Sequence, residues 1–236
     1  MSRPVHIWIT GAGSGLGAAI AQAASQEYHL TLSGRRADRL DQVARMVGLG
    51  RAFVGPCDVS NADNLAEVYS QAIQRFGPVD ILVNNAGIAE FADVNIAEMS
   101  SIEHQIDVNL LGALRCIKLV LSDMIERRRG MILTINSVAA TTTFTGCAGY
   151  GASKAGLLAA TRSLRQEVRR HNVKVIDLIL GATATEIWSE DMLASHSKRM
   201  MDPHIVANQV TSLFSTIDTE NYLIEELTIR PQLGDL

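Results

Sequence analysis

TGAGSGLG, residues 10–17, holds four glycines in eight positions. A glycine inside a helix or strand costs about 0.5–1 kcal/mol relative to alanine, so a cluster of them needs a local cause. The residues before it, Val5-His6-Ile7-Trp8-Ile9, are the β-branched and aromatic run of a buried strand. Those after it, from Leu16 and Gly17 through Ala18-Ala19-Ile20-Ala21, form helix readily. The glycines therefore sit on a strand-to-helix turn. The free N–H groups and partial positive charge of the helix start make that turn a phosphate site. A tight turn with no ligand is the bland alternative for these residues alone.

Outward from the turn, apolar strands alternate with amphipathic helices. Strands are expected at 5–10, 29–33, 51–55, 79–84, 130–136, 173–180 and 221–230. Helices are expected at 16–28, 37–47, 61–76, 101–128, 150–171 and 202–216. This alternation predicts an α/β class protein, a doubly wound Rossmann fold with a parallel sheet of about seven strands. No linker, repeat or low-complexity tract interrupts it, so residues 1–236 read as one domain. The stretch 182–201, with Trp188, Met192, Met200 and Met201, follows the sixth strand and reads as a lid over the substrate.

Composition bounds the function. The chain has 236 residues, 47% hydrophobic and 19% charged, with a net charge of −4. A negative net charge argues against nucleic acid or an anionic membrane as partner. No stretch approaches the ~18 apolar residues of a membrane span. The three cysteines, Cys57, Cys116 and Cys147, lack paired spacing and read as reduced thiols, so a cytoplasmic location is expected. The six histidines have no ligand spacing, and no metal is expected.

Several residues are candidates for chemistry. Tyr150 and Lys154 are four apart, on one helix face. An ammonium near a phenol stabilises the phenolate, which suits a general acid/base. Ser137 ends the fifth strand, where a hydroxyl points into the crevice of an open sheet. Asn84-Asn85-Ala86-Gly87 ends the fourth strand, and Asn109 interrupts an apolar helical stretch. Taken singly, each is as ordinary as a packing tyrosine, a capping serine or an Asn-Gly turn.

Together, TGAGSGLG, Asp58, NNAG, Asn109, Ser137 and Tyr150-xxx-Lys154 come in the order and spacing of the short-chain dehydrogenase/reductase family, which the chain resembles from Val5 to about Arg230. The resemblance implies Ser137, Tyr150 and Lys154 as the catalytic set, with Asn109 completing a proton relay. It implies a dinucleotide held by Gly11, Gly13, Ser14, Gly15, Leu16 and Gly17. Asp58 and Val59 would meet the adenine, while Asn85, Ala86 and Gly87 would line the cleft with Tyr150 and Lys154. Gly181, Thr183 and Thr185 match the family's carboxamide-binding stretch, although Leu180 stands where the family has proline.

Sites for NAD(H) place an acid at the end of the second strand to bond the ribose 2′-hydroxyl. Here that strand ends Ser33-Gly34-Arg35-Arg36. The missing acid and the arginine pair point to NADP(H) rather than NAD(H), with Arg35 as main 2′-phosphate ligand and Arg36 secondary. Ser137, Phe144, Cys147, Tyr150 and Trp188 are expected to form a mostly apolar substrate pocket. The lid and C-terminal segments resemble a subset of short-chain reductases that includes bacterial sepiapterin-reductase-like proteins. That resemblance implies reduction of a small carbonyl or dicarbonyl compound to an alcohol. A 3-oxoacyl thioester reductase and an alcohol dehydrogenase share the same core, and a dinucleotide-binding sensor without turnover is the alternative from another class. Pairing through the two long helices, into a homodimer or homotetramer, follows the family.

Overall fold

Seven short runs line up side by side, the inner five apolar and buried on both faces and the two at the edges only partly buried. They are β1 (His6–Thr10), β2 (His29–Gly34), β3 (Ala52–Pro56), β4 (Ile81–Asn84), β5 (Gly130–Ser137), β6 (Val173–Leu180) and β7 (Glu226–Ile229). The computed structural model describes residues 3–24 and 27–236. The sheet has the order β3-β2-β1-β4-β5-β6-β7, with every pair parallel.

Helices cover both faces. α1 (Gly15–Ala24), α2 (Ala37–Val47) and α8 (Pro203–Ser212) bury apolar stripes on one side. α3 (Ala62–Phe76), α5 (Ala113–Arg127) and α6 (Ala148–Val168) do so on the other. α4 (Met99–Ile106) runs into α5, and α7 (Glu190–His196) lies within the segment after β6. The chain leaves β1 toward β3, then returns to place β4 on the other side of β1. That reversal opens a crevice at the carboxyl ends of β1 and β4. Among the described residues no helix is long and apolar enough to cross a membrane.

Three expectations differ in detail. The first helix was expected to reach Tyr28; α1 extends to Ala24, residues 25 and 26 lie outside the described residues, and β2 has begun by His29. The helix expected over 101–128 contains a π-helical turn, Asp107–Gly112, between α4 and α5. The last strand keeps only Glu226–Ile229 of the expected 221–230, the part in register with Asp177 to Leu180 of β6.

One row of the sheet is polar. On the face covered by α3, α5 and α6, Ser33 pairs with Thr10, and Asn84 and Asp177 both pair with Thr134. All five are buried. Asp177 accepts hydrogen bonds from Thr161 Oγ1 at 2.9 Å and Arg165 Nη2 at 2.8 Å, both on α6. Arg165 is itself buried and also donates to the carbonyls of Val175 and Glu225. This buried ion pair fastens α6 to the sheet beneath it.

Candidate active site

The crevice is a continuous cleft of about 1170 Å³. Its floor at one end is the turn after β1. Gly11 and Gly15 have φ of +65° and +51°, which side chains disfavour. The turn is clamped by Asn85, whose Nδ2 donates to the carbonyls of Thr10 at 2.9 Å and Gly11 at 3.2 Å. Thr10 Oγ1 in return accepts from the N–H groups of Asn85 and Ala86. Gly17 does not line the cleft. A Cβ there would lie 2.3 Å from the Gly11 carbonyl and 2.5 Å from Asn85 Nδ2, so its glycine lets α1 close on the clamp.

Gly11, Gly13, Ser14, Gly15 and Leu16 line the cleft, with Arg35 and Arg36 beside them and Asp58 and Val59 opposite. Asp58 folds back on its own loop, accepting from Ser60 N–H and Oγ. Arg36 donates to Ser14 Oγ at 2.9 Å and to Glu186 at 3.1 Å. α1 carries no acidic residue in its own first turn, and the carboxylate beside it is that of Glu186, from the segment after β6. The donor set fits a phosphorylated dinucleotide: a helix N-terminus, a serine hydroxyl and two guanidinium groups.

At the other end lie Ser137, Tyr150 and Lys154. Ser137 ends β5, and its Oγ accepts from Ala139 N–H at 3.1 Å, leaving its own proton to donate. Tyr150 stands in the first turn of α6. Burial pushes its phenol up to about 12, against the downward pull of a hydrogen bond with Ser137. Burial, then, and not a neighbouring ammonium, dominates the Tyr150 titration. Lys154 is buried and donates to the Ile135 carbonyl at 2.9 Å. Burial lowers it to about 8, and Asp177 is the group that counters this.

Asn109 is fully buried within the π-helical turn and does not line the cleft. Its Oδ1 accepts from Ile88 N–H at 2.8 Å, and its Nδ2 donates to the Ile88 carbonyl and to Ser153 Oγ, each at 2.9 Å. Ser153 Oγ donates to the Tyr150 carbonyl at 2.7 Å. Asn109 thus braces the loop after β4 and the first turn of α6 together. Ser153, which sequence reasoning passed over, is the middle link. A π-helical turn is a frequent mark of a functional position, and a buried asparagine inside an apolar helix is the sequence signal for it.

Residues after β6 close the cleft from above, including Gly181, Thr183 and Thr185. Leu180 is in register with Ser137 on one side and Ile229 on the other, so β6 stays paired where a proline would lack the N–H. Thr183 bridges to Met201, so the segment between them, α7 included, is pinned at both ends. Phe144, Cys147 and Trp188 also line this end. Trp188 stacks on Phe91 with centroids 5.4 Å apart and planes at 15°, and the Phe91 edge meets Tyr150 at 5.9 Å. Met192, from the stretch read as a lid, lines the cleft too, and sequence reasoning singled out neither His196 nor Asp235, which tertiary folding also brings there. All three cysteines are buried and unbonded to one another, and burial raises the Cys147 thiol.

Residues 5–194 match the family model described as short chain dehydrogenase. The chain belongs to the short-chain dehydrogenase family. An uncharacterized oxidoreductase of Staphylococcus aureus is 30% identical over 224 residues, 94% of this chain and 95% of that protein. Among solved structures, an alcohol dehydrogenase from the archaeon Thermococcus sibiricus, complexed with 5-hydroxy-NADP, superposes with a TM-score of 0.88 at 28% identity, covering 98% of each chain. A metagenomic short-chain oxidoreductase in complex with NADP gives 0.83 at 28% identity, over 98% of this chain and 99% of that one. As a member of this family the chain is an oxidoreductase, and its sheet is the family's all-parallel seven-stranded one.

Proposed function

We propose that this oxidoreductase uses NADP(H) to reduce a small carbonyl or dicarbonyl compound to an alcohol. The observation that carries the reading is the convergence of Ser137, Tyr150 and Lys154 at the end of the cleft opposite the glycine turn. The cofactor preference rests on Arg35 and Arg36 beside Ser14, with no acid at the end of β2. The solved relatives with NADP or its 5-hydroxy derivative support it.

When bound, the nicotinamide supplies the hydride. Ser137 Oγ–H orients the carbonyl oxygen by donating to it. Tyr150 gives that oxygen its proton as charge develops there. Lys154 holds a positive charge nearby, which favours the phenolate left behind. Asn109, through Ser153, holds the Tyr150 turn in place. Gly11 to Leu16, Arg35, Arg36, Asp58 and Val59 hold the adenosine and phosphate end, and Asn85 to Gly87 with Gly181, Thr183 and Thr185 the nicotinamide end.

Phe91 and Trp188 stacked beside Tyr150 favour a substrate with a flat portion next to its carbonyl, as in sepiapterin. Phe144 and Cys147 complete the pocket. The chain assembles as a homodimer or homotetramer through the outer faces of α4–α5 and α6, where Leu111 is exposed. The experiment is NADPH oxidation, against NADH, over α-diketones, sepiapterin, 3-oxoacyl thioesters and aldehydes. Tyr150→Phe should lower turnover about 10²–10⁴-fold while leaving NADPH binding intact. Undiminished turnover in that variant overturns the assignment.

A further inference from the structure

The Glu186 carboxylate sits on the groups that a cofactor phosphate would use. One guanidinium nitrogen of Arg36 serves both Ser14 Oγ, in the glycine turn, and Glu186 Oε2, in the segment after β6. The neighbouring Thr185 rests on the start of α1, with its Cβ 3.1 Å from where a Gly15 Cβ would stand. The bridge therefore crosses the cleft from one wall to the other. The hydrogen bond from Arg36 holds the Glu186 carboxyl below the usual carboxylate range, so it is ionised at neutral pH. Both partners are about half exposed, at 52% and 55%. Such a pair contributes little and breaks readily. A phosphate offers the same guanidinium a stronger, bidentate partner.

The same segment reaches the catalytic end. Trp188 donates its backbone N–H to the Thr185 carbonyl at 3.2 Å and its Nε1–H to the Thr183 carbonyl at 3.1 Å. Its ring lies on Phe91, which packs against Tyr150 in an edge-on arrangement with centroids 5.9 Å apart. Arg36 and Glu186 are thus joined by an ion pair, and Trp188, Phe91 and Tyr150 by ring contacts, with the Thr185–Trp188 turn carrying the chain between the two groups.

We propose that Glu186 is an internal ligand of the phosphate seat, a determinant of cofactor affinity that a dinucleotide phosphate must displace. Displacement releases only the turn around Glu186, since Thr183 and Met201 keep the segment anchored, and the Trp188 ring on Phe91, two residues on, reports that release. The proposal rests on the NADP(H) reading of the cleft. Two phosphates compete for the seat: the 2′-phosphate, present only in NADP, and the pyrophosphate, present in both dinucleotides.

The test compares wild type with Glu186→Gln, using calorimetric titration with NADP⁺ and NAD⁺ at low salt. Loss of the resident carboxylate should tighten binding about five-fold, an effect that fades with added salt. A gain for NADP⁺ alone assigns the seat to the 2′-phosphate, and an equal gain for NAD⁺ assigns it to the pyrophosphate. Trp188 emission gives the second readout, with adenosine 2′,5′-bisphosphate, which lacks the nicotinamide, as probe. The other tryptophan, Trp8, is fully buried and bonded to Ser33, and Trp188→Phe supplies its background. The bisphosphate should move the emission of wild type, whereas Glu186→Gln should start at the moved value and respond little. Equal NADP⁺ affinity in both proteins with unchanged emission overturns the latch and leaves the cofactor reading standing. Failure of NADP⁺ to bind either protein overturns both.

Discussion

Lys154→Met should make this protein more stable and inactive at once. Burial lowers the Lys154 ammonium from 10.5 to about 8. At ~1.4 kcal/mol per pKa unit, the charged side chain costs the folded state about 3 kcal/mol at neutral pH. Methionine fills similar volume without the charge. It leaves the Ile135 carbonyl without the donor it has at 2.9 Å, a loss of about 1 kcal/mol. The net gain is about 2 kcal/mol. The pH dependence identifies its source. Because the folded pKa lies below the unfolded one, the unfolded chain holds the proton that the folded chain has released between them. Wild-type stability therefore rises with pH across that window, and the advantage of the variant shrinks. Urea unfolding without cofactor, at about pH 7 and about pH 9.5, should find the gap narrowing by about 2 kcal/mol. A variant less stable than wild type at neutral pH, or a gap that ignores pH, would refute the argument that desolvation sets the Lys154 charge state.

Three further outcomes follow from the same structure. Arg165→Met removes the counter-charge of a carboxylate that burial already raises to about 6, and should cost about 3–5 kcal/mol in urea unfolding. Asp177 is spared ionisation at low pH, so that cost should be smaller at about pH 5 than at about pH 8. Gly17→Ala drives a methyl into the Gly11 carbonyl and the Asn85 clamp, and should lower stability by about 1–3 kcal/mol while weakening cofactor binding measured by calorimetry. Arg35→Ala should weaken NADPH far more than NADH, and equal losses would take Arg35 away from the 2′-phosphate.

Most of the fold was legible because buried parallel strands and amphipathic helices write different periods into the sequence. The π-helical turn was not, since one extra residue in a turn leaves the apolar spacing of Ser101 to Arg128 nearly unchanged. α7 was hidden because it buries no full apolar stripe. The residues proposed for catalysis come from the family resemblance that their motif order carries. The clamp by Asn85 and the brace through Ser153 could not be read in the sequence, because both are hydrogen-bond sets between segments distant in sequence and leave no periodic pattern. The Arg165–Asp177 pair did leave a trace: Asp177 interrupts the run Val173–Leu180, and Arg165 falls on the same helical stripe as Lys154, Leu158 and Thr161.

The polar row across the sheet bears on how the strands find one another. A parallel sheet whose strands are apolar on both faces offers few marks by which one alignment differs from the next. Here Ser33, Thr10, Asn84, Thr134 and Asp177 lie at one level and face the same helices. Slipping any one strand by a single residue would turn its polar member toward the apolar cluster under α1, α2 and α8. Slipping it by two would part that member from its row while leaving it buried. The row acts as a ruler for assembly, and Asp177 is its firmest mark, since only the native alignment brings it to Thr161 and Arg165.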